Sequence, residues 1–147
     1  MEKPKRLWTP VGRWTEGSRM TRPHLRVGAV TITSELGKAR ELADFYHQLL
    51  AWPIVDEGPK GGWLQLQPPE GESGPTINIE EDRHHGRPVW PSRAGEHTMA
   101  MHLDIGVDNL DAAVDWALQV GATQVDHQPQ EHVRVMLDPH GHPFCLC

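Results

Sequence analysis

Cysteines and long apolar stretches are scarce in this chain of 147 residues. Its two cysteines, Cys145 and Cys147, lie two residues apart, which is the wrong number and spacing for the disulfide framework of a small secreted domain. No stretch approaches 18 consecutive apolar residues, and the charged N-terminus leads into no apolar signal segment. We therefore expect a cytoplasmic protein with reduced thiols and no membrane partner.

Basic charge is also scarce outside the first 23 residues. Residues 1–23 hold six basic and two acidic residues, a net charge of +4, whereas residues 24–147 hold 8 basic and 18 acidic residues, a net charge of −10. An acidic body of this kind argues against nucleic acid as the main partner. We predict that residues 1–23 form a mobile basic arm; alternatively Met20 is the biological start and the arm is upstream sequence.

The length suits one domain, and the first half of that domain has a clear order of elements. Residues 26–34 are rich in β-branched residues, as in a strand. Apolar residues recur at spacings of three and four over residues 38–50, which predicts a helix that ends before Trp52 and Pro53. Three short strands are predicted next, over residues 54–55, 62–67 and 76–80.

The second half repeats this order after a linker at residues 87–95. Residues 99–105 are predicted to form a strand, and Asp108 or Asn109 is the candidate N-cap of a second helix that ends at Gly121. Strands are predicted again over residues 123–125, 133–137 and 144–147. Two such units, about 25–83 and 98–147, bury their apolar faces best in one shared curved sheet with the helices outside. The cavity between them is the default binding site.

Three local motifs accompany the repeat. The first helix contains Leu-Ala-Asp-Phe-Tyr at residues 42–46, the second unit begins with His-Leu-Asp at residues 102–104, and residues 135–144 read Val-Met-Leu-Asp-Pro-His-Gly-His-Pro-Phe. With the order of elements, these motifs resemble the vicinal oxygen chelate superfamily, the glyoxalase/bleomycin resistance/dioxygenase group, and within it the small glyoxalase-like domain proteins. The resemblance implies an α+β fold of two tandem βαβββ units in a curved, mostly antiparallel eight-stranded sheet, or half-barrel, over residues 24–147.

Metal-dependent members of that superfamily take one ligand from the first and last strands of each unit, so the resemblance also marks four positions here. Residues 25–34 contain no His, Glu, Asp, Gln or Cys, so the first ligand is absent. The fourth strand offers Asn78, with Glu80 two residues later on the same face. His102 occupies the fifth-strand position, and Cys145 replaces the usual glutamate on the eighth strand. The full metal site is therefore incomplete.

We accordingly predict a homodimeric small-molecule-binding protein with no cofactor and a cleft between its two units. The predicted cleft is lined by Trp63, Asn78, Glu80, His102, Asp104 and Cys145. The alternative is a metal-dependent lyase, isomerase or dioxygenase acting on a small oxygenated substrate. In that enzyme His102, Glu80 and Cys145 are the metal ligands and catalytic candidates, and zinc best fits their mixed donor set. A further alternative makes Cys145 a nucleophile with His102 as its base.

The remaining histidines fall in polar segments. We predict that four of them are solvated turn residues: His84, His85, His140 and His142. The loop between His127 and His132 is predicted to border the pocket mouth. Because free imidazole titrates near pH 6.5, ten histidines make the net charge strongly dependent on pH near pH 6.

Overall fold

A computed structural model describes residues 21–147 of the chain. The predicted basic arm therefore lies, except for residues 21–23, outside the described residues. Ten elements follow one another in chain order: β1 (Ala29–Ser34), α1 (Ala39–Leu50), β2 (Ile54–Glu57), β3 (Trp63–Leu66), β4 (Thr76–Glu81), β5 (Leu103–Ile105), α2 (Leu110–Gln119), β6 (Thr123–Gln124), β7 (Arg134–Leu137) and β8 (Pro143–Leu146). This is the predicted order of strand, helix and three strands, twice.

The eight strands are divided between two four-stranded sheets of the same topology. The first sheet has the order β1-β4-β3-β2 and the second the order β5-β8-β7-β6. In each sheet the first and last strands of the unit pair in parallel, and the other two pairs are antiparallel. The sheets are therefore mostly antiparallel, and they confirm the α+β class and the two βαβββ units. The strands form two four-stranded sheets rather than the one eight-stranded sheet predicted, because no ladder joins a strand of one unit to a strand of the other among the described residues.

The N-terminal end of β1 is set by its partner strand. The sequence predicts a strand from residue 26, but pairing begins with Ala29 opposite Thr76. The Thr76 amide donates to the carbonyl of Gly28, and the preceding Pro75 has no amide hydrogen with which to extend the ladder. Residues 26–28 consequently remain exposed and lie outside the strand.

The apolar face of α1 explains its position against the first sheet. Leu42, Ala43 and Tyr46 are almost completely buried, as the spacing of three and four predicts. Alternate residues of the strands below it, such as Leu64 and Ile79, are equally buried. The opposite face of this sheet is therefore free to carry polar side chains.

The second helix begins at a side-chain cap and packs into the same core as the first. The Asn109 side chain accepts a hydrogen bond from the amide of Ala112 at 3.0 Å, which selects Asn109 over Asp108 as the N-cap. Phe45 of α1 lies 6.1 Å from Phe144 of β8, measured between ring centroids. One apolar core thus joins the two units. Within the described residues, neither helix is long and apolar enough to cross a membrane.

Candidate functional site

The polar face of the first sheet carries three of the predicted cleft residues. Trp63 is paired with Glu80 and Gln65 with Asn78 in the β3–β4 ladder, so these four side chains share the face away from α1. The Gln65 amide donates to Oδ1 of Asn78 at 2.9 Å. Trp63 and Asn78 are half-buried, whereas Glu80 is exposed. The face therefore offers an aromatic side chain, an amide pair and a carboxylate.

The second sheet brings together the other three predicted residues. Asp104 lies opposite Cys145 in the β5–β8 ladder, and His102 precedes Asp104 by two residues. Nε2 of His102 lies 3.1 Å from Oδ1 of Asp104. One ligand atom from each of His102, Asp104 and Cys145 lies within 4.8 Å of the others. This group of three is called the β5–β8 triad below.

The environment of Cys145 keeps its sulfur protonated. Partial burial raises the pKa of the Cys145 thiol, and the charge and hydrogen bonding of the Asp104 carboxylate raise it further. Nucleophilic cysteines have the opposite property, a lowered pKa next to a cation or a helix N-terminus. The arrangement therefore does not favour Cys145 as a nucleophile.

The donor set of the triad suits a divalent metal better than it suits nucleophilic chemistry. A histidine nitrogen, a carboxylate oxygen and a thiolate are all zinc ligands, and three of them leave a fourth tetrahedral position open. Without a metal cation, the negative charge of Asp104 disfavours the thiolate of Cys145. With a bound cation, the carboxylate and the thiolate would both serve as ligands. Glu80, the third ligand predicted from the sequence, lies on β4 of the other sheet and is not part of the triad. The sequence signal for Asp104 was its spacing of two residues from His102 on a predicted strand, which places both side chains on one face.

A cavity of about 430 Å³ lies beside the triad and includes His102 in its wall. Residues 30–33 of β1 line one side and residues 97–103 line the other. The rest of the wall consists of Tyr46, parts of segment 82–88, His142 and Pro143. Residues 99–102 were predicted to belong to the fifth strand; they line this cavity instead, and regular pairing with β8 begins only at Leu103. The other five predicted cleft residues are not in the cavity wall.

Three of the four turn histidines are buried or half-buried, contrary to the prediction of solvated turn residues. His140 is fully buried, and His85 and His142 are half-buried; His84 alone is exposed. His142 Nε2 donates to the carbonyl of Thr33 at 2.6 Å, and His85 Nε2 donates to the carbonyl of His140 at 2.9 Å. The β7–β8 turn therefore docks on β1 of the other unit, a long-range contact that no local sequence pattern reveals.

A buried carboxylate holds this turn in shape. Oδ1 of Asp138 accepts hydrogen bonds from the amides of His140 and His142, at 2.9 and 3.0 Å. Its Oδ2 accepts a hydrogen bond from the hydroxyl of Tyr46, on α1, at 2.7 Å. Burial, followed by the charge of Asp138, raises the pKa of Tyr46 well above its usual value. The Asp-Pro-His-Gly-His motif thus links the two units.

The loop at residues 127–132 was predicted to border the pocket, but it does not line the cavity. The Gln128 side chain donates to the carbonyls of Val125 and Val135 and accepts from the amide of Val135. Trp90 in the linker donates its indole N–H to the carbonyl of His127 at 3.1 Å. These bonds attach the loop to the edge of the second sheet.

Several solved structures share this architecture. They include a glyoxalase/bleomycin resistance protein/dioxygenase family enzyme from Burkholderia phytofirmans PsJN, at 17% identity and a TM-score of 0.58 over 83% of this chain and 97% of that one. A gene product from Arabidopsis thaliana gives 14% identity and a TM-score of 0.61 over 85% and 99% of the two chains. A glyoxalase family protein from Enterococcus faecalis gives 18% identity and 0.56 over 82% and 95%. At these identities the likeness shows the fold alone.

No curated protein matches the chain. The Glyoxalase-like domain family matches residues 15–147, which is nearly the whole sequence and includes both βαβββ units. The match agrees with the vicinal oxygen chelate resemblance seen in the helix and turn motifs. The chain therefore belongs to the Glyoxalase-like domain family.

Proposed function

We propose that this protein binds a small organic molecule in the cavity between β1 and residues 97–103. The observation that carries the proposal is the cavity itself, whose volume of about 430 Å³ falls within the range of about 300–1,000 Å³ of ligand pockets. Its wall combines apolar side chains such as Ile32 and Met99 with a few polar groups such as Thr31 and His142. That combination is typical of sites that bury an organic ligand and orient it through a few polar contacts.

The proposed binding site also includes predicted cleft residues that lie next to the cavity. His102 belongs both to the cavity wall and to the β5–β8 triad. A ligand that contacts His102 in the cavity would therefore lie next to Asp104 and Cys145. Trp63, Asn78 and Glu80 remain a predicted surface on the first sheet. The predicted homodimer and cytoplasmic location are part of the same proposal, and sedimentation equilibrium tests the first of them.

A neutral fluorescent probe tests the binding site. N-phenyl-1-naphthylamine brightens when it leaves water, and we expect saturable binding with a stoichiometry of one per chain. Thr31→Phe narrows the cavity and should weaken binding of the probe at least about fivefold, because the phenylalanine side chain fills space that the naphthalene ring of the probe would occupy. Thr123→Phe, at an exposed position on β6 outside the cavity, is the matched control. Equal binding by both variants would place the probe elsewhere and contradict the proposal.

A second candidate function, favoured by the β5–β8 triad, is a metal-dependent lyase, isomerase or dioxygenase reaction on a small oxygenated substrate. Zinc held by His102, Asp104 and Cys145 would supply a Lewis acid with one open coordination position. Elemental analysis of protein purified without chelator tests this function. About one zinc per chain, lost in His102→Ala and kept in His132→Ala, would support it, whereas metal-free protein after zinc incubation and desalting would exclude it.

A further inference from the structure

Histidines are the most numerous titratable groups in the cavity wall, which also contains Asp82 and Tyr46. Five histidines line it: His84, His85, His97, His102 and His142. Asp82 is the acidic residue among the described wall residues, and none of them is Lys, Arg or Glu. The other side chains are largely apolar. Among the described wall residues, positive charge is therefore available only from protonated imidazole.

Two of these histidines can take up a proton without losing a hydrogen bond. His85 donates from Nε2 to a carbonyl, and its Nδ1 lies 3.1 Å from the hydroxyl of Thr33, which can accept as well as donate. His142 also donates from Nε2 to a carbonyl, that of Thr33. The ring centroids of His85 and His142 are 5.0 Å apart. This pair of rings is called the imidazole pair below.

His140 belongs to the same turn as His142 but has different hydrogen-bond partners. Its Nδ1 accepts the amide of Glu35 at 3.0 Å, so it must stay unprotonated there, and its Nε2 donates to Glu41 at 2.9 Å. Protonation at Nδ1 would therefore remove a buried hydrogen bond. Within the β7–β8 turn, His142 is therefore the histidine that can accept a proton, and with His85 it lines the cavity.

The groups around the imidazole pair have both signs of charge. Asp138 accepts three hydrogen bonds, the pattern of an ionised carboxylate, and one of its donors is the amide of His142. A cation on His142 therefore has a buried anion beside it, while two adjacent cations repel each other. The remaining titratable groups nearby are Tyr46, Asp82, His84, Arg87, His97, His102 with Asp104, and His140 with Glu41.

We propose that the ligand of this cavity is an apolar molecule with one acidic group, a carboxylate or sulfonate, which the protonated imidazole pair binds. The inference rests on the proposed function, because it assigns a ligand class to the same cavity. The anionic group would accept a charge-assisted hydrogen bond from Nδ1 of His142, while His85, whose two nitrogens bond Thr33 and His140, would contribute its charge. The apolar part would lie against Val30, Met99 and Met101. Binding takes up a proton, so affinity rises as the pH falls from 8 to 6.

Two probes with the same aromatic frame separate charge from apolar contact. 8-anilino-1-naphthalenesulfonate has a sulfonate that N-phenyl-1-naphthylamine lacks. An anion that raises the pKa of a neighbouring imidazole by about one unit binds the protonated protein about tenfold more tightly. We therefore expect the sulfonate probe to bind about five- to tenfold more tightly at pH 6 than at pH 8. The neutral probe should change less than about twofold.

His142→Gln should abolish this pH dependence, because an amide keeps a donor for the Thr33 carbonyl but cannot become a cation. His132→Gln, an exposed histidine outside the cavity wall, should leave it intact. Calorimetry of the wild-type protein in phosphate and in Tris at pH 7 provides a measurement that needs no variant. Different heats in the two buffers would report proton uptake on binding of the sulfonate probe.

The outcomes distinguish the two proposals. If neither probe binds, or Thr31→Phe leaves both unaffected, the proposed function is wrong. If the neutral probe binds in the cavity but the sulfonate probe shows no proton uptake, the binding site stands and the acidic ligand class is overturned. The same conclusion follows if His142→Gln retains the full pH dependence.

Discussion

The Cys145 thiol lies half-buried beside the Asp104 carboxylate, and both features raise its pKa. Since the thiolate is the reactive form, alkylation of Cys145 should be slow at pH 8. In a Cys147→Ser background, Asp104→Asn should speed iodoacetamide labelling about two- to fourfold by removing the adjacent charge. Asp126→Asn, which is exposed and distant in sequence from the triad, is the control. An unchanged rate in Asp104→Asn would show that Asp104 does not set the reactivity of this thiol.

Tyr46, the chain's one tyrosine, provides a pH-dependent test of the buried turn. Burial and Asp138 raise its folded-state pKa, so its contribution to stability is complete below the unfolded value near pH 10. That contribution falls, by about 1.4 kcal/mol per pH unit, as the pH rises from 10 toward the folded value. Tyrosinate absorbance near 295 nm should therefore appear near pH 10 in urea and only at higher pH in the folded protein.

The Tyr46→Phe variant isolates the hydrogen bond to Asp138. Loss of a donor to a buried carboxylate should lower the free energy of unfolding by about 1.5–3 kcal/mol at pH 7. The difference from the wild type should shrink above pH 10, because only the wild type has a tyrosine to ionise. Urea titrations at pH 7 and pH 10.5 measure both quantities. A constant difference at the two pH values would contradict the raised folded-state pKa of Tyr46.

At the scale of elements, the N-terminus of α2 depends on one side chain. Asn109→Ala removes the acceptor of the Ala112 amide and should cost about 1 kcal/mol in the free energy of unfolding. Asp108→Ala, at the neighbouring position that the sequence alone did not separate from Asn109, should stay within about 0.5 kcal/mol. Urea denaturation followed by circular dichroism gives both values. A larger loss from Asp108→Ala would move the cap to that residue.

The elements were largely predictable because their signals are local. The spacing of apolar residues placed α1 within one residue of its observed start, and the repeated order of strands and helices identified the fold. Where the prediction failed, the cause was distant in sequence: Pro75 ends the pairing of β1, and residues 99–102 line a cavity rather than extend β5. Strand boundaries are set by their partners, which a single segment does not reveal.

The site was predictable in part for the same reason. His102, Asp104 and Cys145 were found through residue type and strand position, and the structure brings them together. The burial of His140 was missed because its partners, Glu35 and Glu41, are about a hundred residues earlier in the chain. A polar turn looks solvated in sequence unless the surface that covers it is known.

At the scale of the whole molecule, the two βαβββ units should unfold together. One apolar core contains residues of both units, and Trp116 of α2 donates its indole N–H to the carbonyl of Leu49, at 3.3 Å. The β7–β8 turn adds buried hydrogen bonds to the first unit. Far-UV circular dichroism and tryptophan fluorescence should therefore give coincident urea transitions.

His140→Ala tests whether the turn couples the units. It leaves the Glu35 amide without its buried acceptor and opens a space in the core, which together should cost about 2–4 kcal/mol. Because the units are coupled, both spectroscopic transitions should shift to lower urea by the same amount and remain coincident. His140→Asn, which retains an acceptor, should shift them less, and the exposed His132→Ala should leave them in place. If His140→Ala instead separated the two transitions, each unit would be stable alone, and the cavity between β1 and residues 97–103 would lie between independently folding halves.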